Sequence, residues 1–215
     1  MHLYSHLVIA HELLPDVQPA DLPEYYWGAI AADVRYLAHL PRRRTHRSLE
    51  EVRAWSVRYP ELCSFVQGYL VHILSDERDA ASSVFDRLPL RAVRRWVPRA
   101  LAAARLEAAY AERVKLDIWV SGTFNPILAN LGISPEAAAA YAGAANRYAA
   151  APSMEMAFEM WAEMGLNGSP RVERYLRIAR LVQGSQLLRR MLLGVVDTAA
   201  VSRSITSDLR PHLAF

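Results

Sequence analysis

Signals that start helices recur along this chain, and they constrain its fold more than any other feature. Ser48 and Glu51 have the spacing of a capping box, in which each residue satisfies a backbone group of the other at a helix start. Ser134-Pro135-Glu136 and Ser169-Pro170 give a similar start, with serine as the cap and proline in the first turn. No stretch alternates apolar and polar residues as a strand does. These patterns predict an all-α fold of six to nine helices.

Composition and length favour the same fold. Hydrophobic residues make up 53% of the chain and glycine occurs only nine times, a balance that favours helices. A chain of 215 residues can bury a substantial core without disulfides or structural metals. We therefore predict a single-domain multi-helix bundle over residues 1–215.

Several classes of protein are disfavoured by the sequence. The net charge of +3 is mild and gives no indication of a nucleic-acid partner. No secretory signal and no long apolar run is present, so we expect no transmembrane segment and a cytoplasmic location. The single cysteine, Cys63, excludes an internal disulfide and a thiolate-rich metal cluster. Because Cys63 lies in an apolar run, we expect it to be buried.

The boundaries of the later helices follow from the same signals. We predict a loop over residues 33–47 and a helix from Pro60 to about Asp79. A long alanine-rich helix is expected from Pro98 to about Trp119, and another from Ser169 to about Leu193.

His72 and Asp76 are the first indication of a functional site. They are four residues apart, so a helix places both on one face, the face that also carries Phe65 and Tyr69. A buried carboxylate beside a buried imidazole is costly unless something compensates both groups. A divalent metal does so, because both groups are zinc ligands. A hydrogen-bonded pair in the core, or a helix end where Asp76 reaches water, would also explain the spacing.

Three further polar residues lie in the same third of the chain. His6 sits among apolar residues, Asp33 follows an apolar run, and His46 ends an arginine-rich segment. Together with His72 and Asp76 they make a set of nitrogen and oxygen ligands that suits zinc or another first-row divalent metal.

The same residues lie in motifs that resemble the bacterial zinc-dependent phospholipase C family. The four motifs follow one another in the family's order, over roughly residues 3–80: Ser5-His6-Leu-Val-Ile-Ala, Tyr26-Trp27-Gly28-Ala-Ile-Ala-Ala-Asp33-Val-Arg-Tyr, Arg44-Thr45-His46, and Gly68-Tyr-Leu-Val-His72-Ile-Leu-Ser-Asp76. Members of this family are all-α, bind up to three zinc ions and hydrolyse phosphate esters such as phospholipid head-group linkages. The resemblance implies the same fold for this chain.

The resemblance also implies roles for individual residues. The ligands of one zinc would be Asp33, His46, His72 and Asp76. Asp76 would bridge to a second metal, which His6 also binds and which the Met1 amine, His2 or His11 could complete. Asp33 would in addition be the general base of the reaction.

Arginines near these motifs are candidates for binding phosphate. The run Arg42-Arg43-Arg44 could hold a phosphate through its guanidinium groups, or could be a solvated loop tip. Arg44 is the member of this run that lies within a motif. Arg35, two residues from Asp33, could contact the substrate or support Asp33. We predict Arg35 and Arg44 as substrate-binding residues.

The sequence departs from the family after Asp76. The third metal of the family needs further histidines, and this chain has none between His72 and His212. Glu107 is the best remaining carboxylate for that place, although a solvated charge near Arg105 and Arg113 is the simpler interpretation. We therefore expect one or two metals.

These observations predict a zinc-dependent hydrolase that acts on a small phosphate ester or a lipid head group. Two alternatives stay open. One is a helical metal-binding protein whose hydrolase site is lost or redirected to other chemistry, and the other is an interaction protein without a metal.

Overall fold

The computed structural model describes residues 3–77, 99–161, 163, 184–186 and 197–213. Within these residues the regular elements are all helices, and there is no strand, which confirms the all-α prediction for this part of the chain. The α-helices are α1 (Leu3–Glu12), α2 (Leu14–Val17), α3 (Leu22–Ala31), α4 (Arg42–Thr45), α5 (Leu49–Arg58), α6 (Cys63–Glu77), α7 (Arg99–Arg113), α8 (Pro126–Leu131), α9 (Pro135–Ala150), α10 (Met154–Trp161) and α11 (Thr198–Leu209). Short 3-10 helices span Ala32–Tyr36, Pro60–Leu62 and Arg210–His212.

Local sequence sets many of the helix starts. Ser48 forms the predicted capping box with Glu51 at the start of α5. Ser134 caps α9 by accepting a hydrogen bond from the backbone N–H of Ala137. Asn125 and Asp197 cap α8 and α11 in the same way. A short polar side chain satisfies one of the N–H groups that every helix start leaves without a partner.

Helices α3 and α6 cross in direct backbone contact. A Cβ atom on Gly28 would collide with the carbonyl oxygen of Phe65, and one on Gly68 would collide with that of Tyr25. No side chain fits at either position, so glycine is required for this close approach. The crossing lies in a buried core that includes Tyr25 and Tyr69. It fixes the part of α6 that follows Gly68 against the C-terminal half of α3.

Two predicted boundaries are wrong: the loop over residues 33–47 and the end of the helix near Trp119. The expected loop over residues 33–47 contains a 3-10 helix and α4, since the chain leaves α3 in tighter helical turns at Ala32. The helix expected to reach Trp119 ends at Arg113.

Residues 114–120 form no regular secondary structure instead. The Tyr4 hydroxyl donates to the carbonyl oxygen of Val114 (3.0 Å) and accepts from the N–H of Leu116 (3.2 Å). The Asn146 side chain binds both the N–H and the carbonyl of Val120, at 2.9 and 3.0 Å. These side chains satisfy backbone groups that a continued helix would have paired internally.

Three further expectations meet the structure differently. Cys63 is exposed at the first position of α6, so the prediction that it is buried was wrong. The helix expected from Ser169 to Leu193 falls almost wholly outside the described residues. Among the residues that are described, no helix combines the length and the apolar character that crossing a bilayer requires.

Candidate metal centre

Five polar side chains from four separate segments meet beside the α3–α6 crossing. His6 comes from α1, Asp33 from the 3-10 helix after α3, His46 from the residue after α4, and His72 and Asp76 from α6. They form two overlapping groups, and within each group the ligand atoms all lie within 4.8 Å of one another: His6, Asp33 and His72, and His46, His72 and Asp76. His72 belongs to both groups. The structure thus brings together all five residues that the sequence singled out as metal ligands.

The hydrogen bonds around Ser75 favour one tautomer of His6. The Ser75 hydroxyl donates its only hydrogen to the carbonyl oxygen of His72, at 2.9 Å. While it makes this bond it can only accept at His6 Nδ1, 3.0 Å away, an arrangement that requires the proton of the neutral ring to be on Nδ1. His6 Nε2 is left as a bare lone pair.

That lone pair points at carboxylate oxygens. His6 Nε2 lies 3.4 Å from Asp76 Oδ1 and 4.0 Å from Asp33 Oδ2. It is buried and has no hydrogen-bond partner among the described residues. An acceptor facing acceptors in a dry site is unfavourable unless a cation lies between them.

The backbone of α3 orients His72 so that its Nε2, like that of His6, is directed into the cluster. Its Nδ1 lies 2.8 Å from the carbonyl oxygen of Ala29, which can only accept, so Nδ1 donates. The close α3–α6 crossing makes this hydrogen bond possible, because Ala29 and His72 directly follow the crossing on their helices. His72 Nε2 therefore also presents a lone pair, 3.4 Å from His46 Nε2. Imidazoles that bind metals are usually held by such a hydrogen bond at the other nitrogen.

His46 can serve the site with either nitrogen protonated. Its Nε2 lies 2.9 Å from Asp76 Oδ2, and its Nδ1 lies 3.2 Å from the Thr45 hydroxyl. A proton on Nε2 gives a hydrogen bond to Asp76. A proton on Nδ1 gives one to Thr45 and frees Nε2 as a ligand.

The separations among three donor atoms fit a tetrahedral ion. Zinc–nitrogen bonds of about 2.0–2.1 Å place neighbouring ligands about 3.3–3.4 Å apart in a tetrahedron. The Nε2 atoms of His46 and His72 are 3.4 Å apart, and Asp76 Oδ2 lies 2.9 and 3.9 Å from them. Shifts of about half an ångström would therefore bring the three atoms to zinc geometry.

Burial keeps the three imidazoles neutral. It lowers the pKa of His6 well below its ordinary value, lowers that of His46, and lowers that of His72 to about 4. A neutral imidazole is the form that binds a metal, so a cation at this site would not compete with protons at neutral pH.

The two carboxylates differ in their electrostatics. Burial, and then the charge of Asp76, raises the pKa of Asp33. Burial would also raise the pKa of Asp76, but the hydrogen bond with His46 lowers it, and that pKa lies below its usual range. Asp76 is the permanent anion of the pair, and Asp33 is the one more able to accept a proton.

Each carboxylate also has an arginine. Arg35 Nε lies 3.6 Å from Asp33 Oδ1, and its guanidinium stacks on the Tyr36 ring, 3.9 Å from the centroid. Arg42 reaches Asp76 Oδ2 at 2.7 Å. The predicted phosphate ligand Arg44 is exposed, and its guanidinium lies beside Gly132. Among the three consecutive arginines, Arg42 is thus the one that the structure places at the cluster.

Other sequence candidates lie in different surroundings. Glu107 is neither solvated nor grouped with the cluster: it is buried and binds the first turn of α1. His11 is on the exposed side of α1, and its Nδ1 pairs with the Tyr26 hydroxyl at 2.7 Å. Met1 and His2 lie outside the described residues.

Ser75 is a site residue that sequence reasoning missed, and Arg42 was named only as one member of the arginine run. Ser75 lies between His72 and Asp76 in the motif, and a polar residue three positions after His72 on a buried helix face could have indicated its role. Arg42 has no such signal, because only the turn of α4 decides which arginine faces Asp76.

No protein-family model matches the sequence of this chain, and comparison with curated proteins and with solved structures gives no match either.

Proposed function

We propose that this chain is a metal-dependent hydrolase of phosphate esters, similar in fold and site to the zinc-dependent phospholipase C family. One or two ions, zinc first among them, would be held by His6, Asp33, His46, His72 and Asp76. The observation that carries the proposal is the bare lone pair of His6 Nε2, which is buried and faces the oxygens of Asp76 and Asp33. His72 supports it, since its Nδ1 donates to Ala29 and its Nε2 is therefore an acceptor in the same cluster, 3.4 Å from His46 Nε2.

A divalent cation held there would lower the pKa of a bound water and offset charge on phosphoryl oxygens. Asp33 is the residue to take the proton from the attacking water, because its raised pKa makes it the better base of the two carboxylates. Asp76 stays ionised and holds the cluster together. Arg35 and Arg42 are the cations at the site, and guanidinium groups match phosphate oxygens in geometry and charge.

The charge balance of the cluster favours an anionic substrate. With both carboxylates ionised and the imidazoles neutral, Asp33 and Asp76 are already balanced by Arg35 and Arg42. A divalent ion therefore adds two positive charges to a mostly buried site. A phosphate group supplies the compensating negative charge. The source could be a small ester or a lipid head group, and a cytoplasmic location stays a prediction.

One observation favours a second candidate, a helical metal-binding protein whose hydrolase site is lost or redirected. No histidine follows His72 until His212, and the carboxylate best placed to replace one, Glu107, is occupied by the backbone of α1. A smaller cluster meets less of the charge that develops in the transition state.

The test begins with metal content and then measures turnover. We expect the protein, purified without chelator and reconstituted with zinc, to hold one to two ions per chain by elemental analysis. His72→Asn should lose this zinc, whereas His39→Asn, which changes an exposed residue, should keep it. Activated phosphodiesters and monoesters should be hydrolysed faster than phosphatidylcholine, and a chelator should abolish the reaction until zinc is restored.

Three results separate the candidates. Less than about 0.3 zinc per chain after reconstitution, against the full site expected from such a ligand set, would contradict both. Stoichiometric zinc without turnover of any phosphate ester favours the metal-binding protein. Equal zinc content in His72→Asn and His39→Asn would show that the metal is bound elsewhere.

A further inference from the structure

The two arginines of the metal centre are held in different ways. Arg35 is largely buried, with 15% of its side chain exposed, and is stacked on Tyr36. Arg42 has 53% of its side chain exposed, although its partner Asp76 is only 5% exposed. Arg42 therefore reaches from solvent into the cluster, where its guanidinium contacts Asp76, while about half of its side chain stays accessible.

The tip of Arg42 contacts an atom that a metal would need. Asp76 Oδ2 lies 2.7 Å from the Arg42 guanidinium and 2.9 Å from His46 Nε2. The same oxygen belongs to the group of donor atoms from His46, His72 and Asp76. A divalent ion bound to Oδ2 would thus lie next to a positive guanidinium, and the two charges repel each other strongly in a site that excludes most water.

We propose that Arg42 is an exchangeable counter-ion: it neutralises Asp76 in the metal-free protein and leaves when a divalent cation binds. The inference rests on the proposed function, since it requires a metal at this cluster. The half-exposed side chain has room to move, and α4, which carries it, is a single short helix after Pro41.

The displaced guanidinium would stay at the mouth of the site, tethered by α4. It is then free to bind an anion, and the ion that displaced it gives the site the positive charge that attracts one. Metal binding would therefore create the phosphate site by releasing Arg42 from Asp76. Arg35, which is stacked and enclosed, would stay with Asp33.

The experiment measures zinc and inorganic phosphate affinities without any substrate turnover. The full chain is stripped of metal, and zinc is titrated against a fluorescent chelator of known affinity. We expect Arg42→Gln to bind its first zinc about tenfold more tightly than the unchanged chain, the ratio that corresponds to about 1.4 kcal/mol. Phosphate should bind the zinc-loaded Arg42→Gln protein about tenfold more weakly. Arg43→Gln, which changes an exposed neighbour with no ion pair to a described residue, should match the unchanged chain within about twofold.

Arg42→Lys keeps the charge without the planar fork, so its two affinities should fall between those of the other proteins. This variant also tests the proposal if Arg42→Gln does not fold. Zinc binding that is unchanged or weaker in both variants would overturn the exchange. Tighter zinc binding with unchanged phosphate affinity would overturn the release of Arg42 to the anion. Absence of zinc binding in every protein, including the unchanged chain, would refute the proposed function and this inference with it.

Discussion

Two regions of this molecule bury carboxylates, and they treat them differently. Glu107 receives three hydrogen bonds at its oxygens, from the N–H groups of Tyr4 and Ser5 at 2.7 Å each and from the Ser5 hydroxyl at 2.6 Å. All three donors belong to the start of α1, where backbone N–H groups lack partners within the helix. In the metal centre, Asp33 and Asp76 instead face the bare lone pair of His6 Nε2.

The difference shows that burial of an acid does not by itself identify a functional site. Burial raises the pKa of both Glu107 and Asp33. What separates them is the kind of neighbour: Glu107 accepts from three donors at the start of α1, whereas Asp33 and Asp76 lie beside a buried imidazole nitrogen that has no hydrogen-bond partner among the described residues. Glu107 is thus the cap of α1, supplied by α7, whereas Asp33 and Asp76 belong to the candidate metal centre.

The largest change in the free energy of unfolding should come from removing the carboxylate of Glu107, which accepts three hydrogen bonds. Glu107→Ala leaves two buried N–H groups and a hydroxyl without acceptors, which should lower the free energy of unfolding by about 3–5 kcal/mol. The loss should appear in both zinc-free and zinc-loaded protein. Urea denaturation measures it, with Glu159→Ala, an exposed glutamate on α10, as the control that should stay within about 0.5 kcal/mol. Equal stabilities of the two variants would contradict the capping role.

A second prediction concerns pH and the neutral imidazoles of the metal centre. His72 has a pKa of about 4 in the fold and an ordinary pKa of 6.5 when unfolded. Between these values the unfolded chain binds a proton there that the folded chain does not. Stability of the zinc-free protein should therefore fall as pH falls from 6.5 to 4, by up to about 1.4 kcal/mol per pH unit from this group.

Denaturation curves at pH 7, 5.5 and 4.5 measure this slope. His72→Gln cannot be protonated, so its stability should depend less steeply on pH in the same window. A slope in His72→Gln as steep as in the unchanged chain would show that other groups cause the acid sensitivity.

The smallest predicted change is a gain in the free energy of unfolding, whereas Glu107→Ala should cause a loss. Asp33→Asn removes a carboxylate whose raised pKa means that its charge is unfavourable in the fold, so the zinc-free protein should gain about 1 kcal/mol at pH 7, a common result of relieving such a site. The loss of the Arg35 ion pair offsets part of the gain. Zinc affinity should fall sharply, as expected for a ligand. Asp117→Asn, at an exposed position, serves as the control, and a destabilisation as large as that of Glu107→Ala would remove the contrast between the two regions.

Local spacing predicted many of the helix starts and the shared face of His72 and Asp76. The grouping of His6, Asp33 and His46 with them was instead expected from polar residues in apolar surroundings and from the resemblance to a family. Capping residues such as Ser48 and Ser134 act within one turn, and the His72–Asp76 spacing fixes a shared helix face. Glu107 could not be interpreted this way. It lies between arginines in the sequence, and its burial depends on Tyr4 and Ser5, more than 100 positions away along the chain. The end of α7 at Arg113 depends in the same manner on Tyr4.

The crossing of α3 and α6 at Gly28 and Gly68 has a consequence for the order in which the site can assemble. It closes a loop of about 40 residues, a modest entropic cost for a chain of this size. Asp33 and His46 lie inside that loop, and His72 and Asp76 directly follow its end. A single closure therefore gathers four of the five candidate ligands. His6 lies on α1, outside this loop. The first turn of α1 is held by Glu107 from α7. The fifth candidate ligand therefore depends on the N-terminal segment and on α7, and not on the closure of the loop.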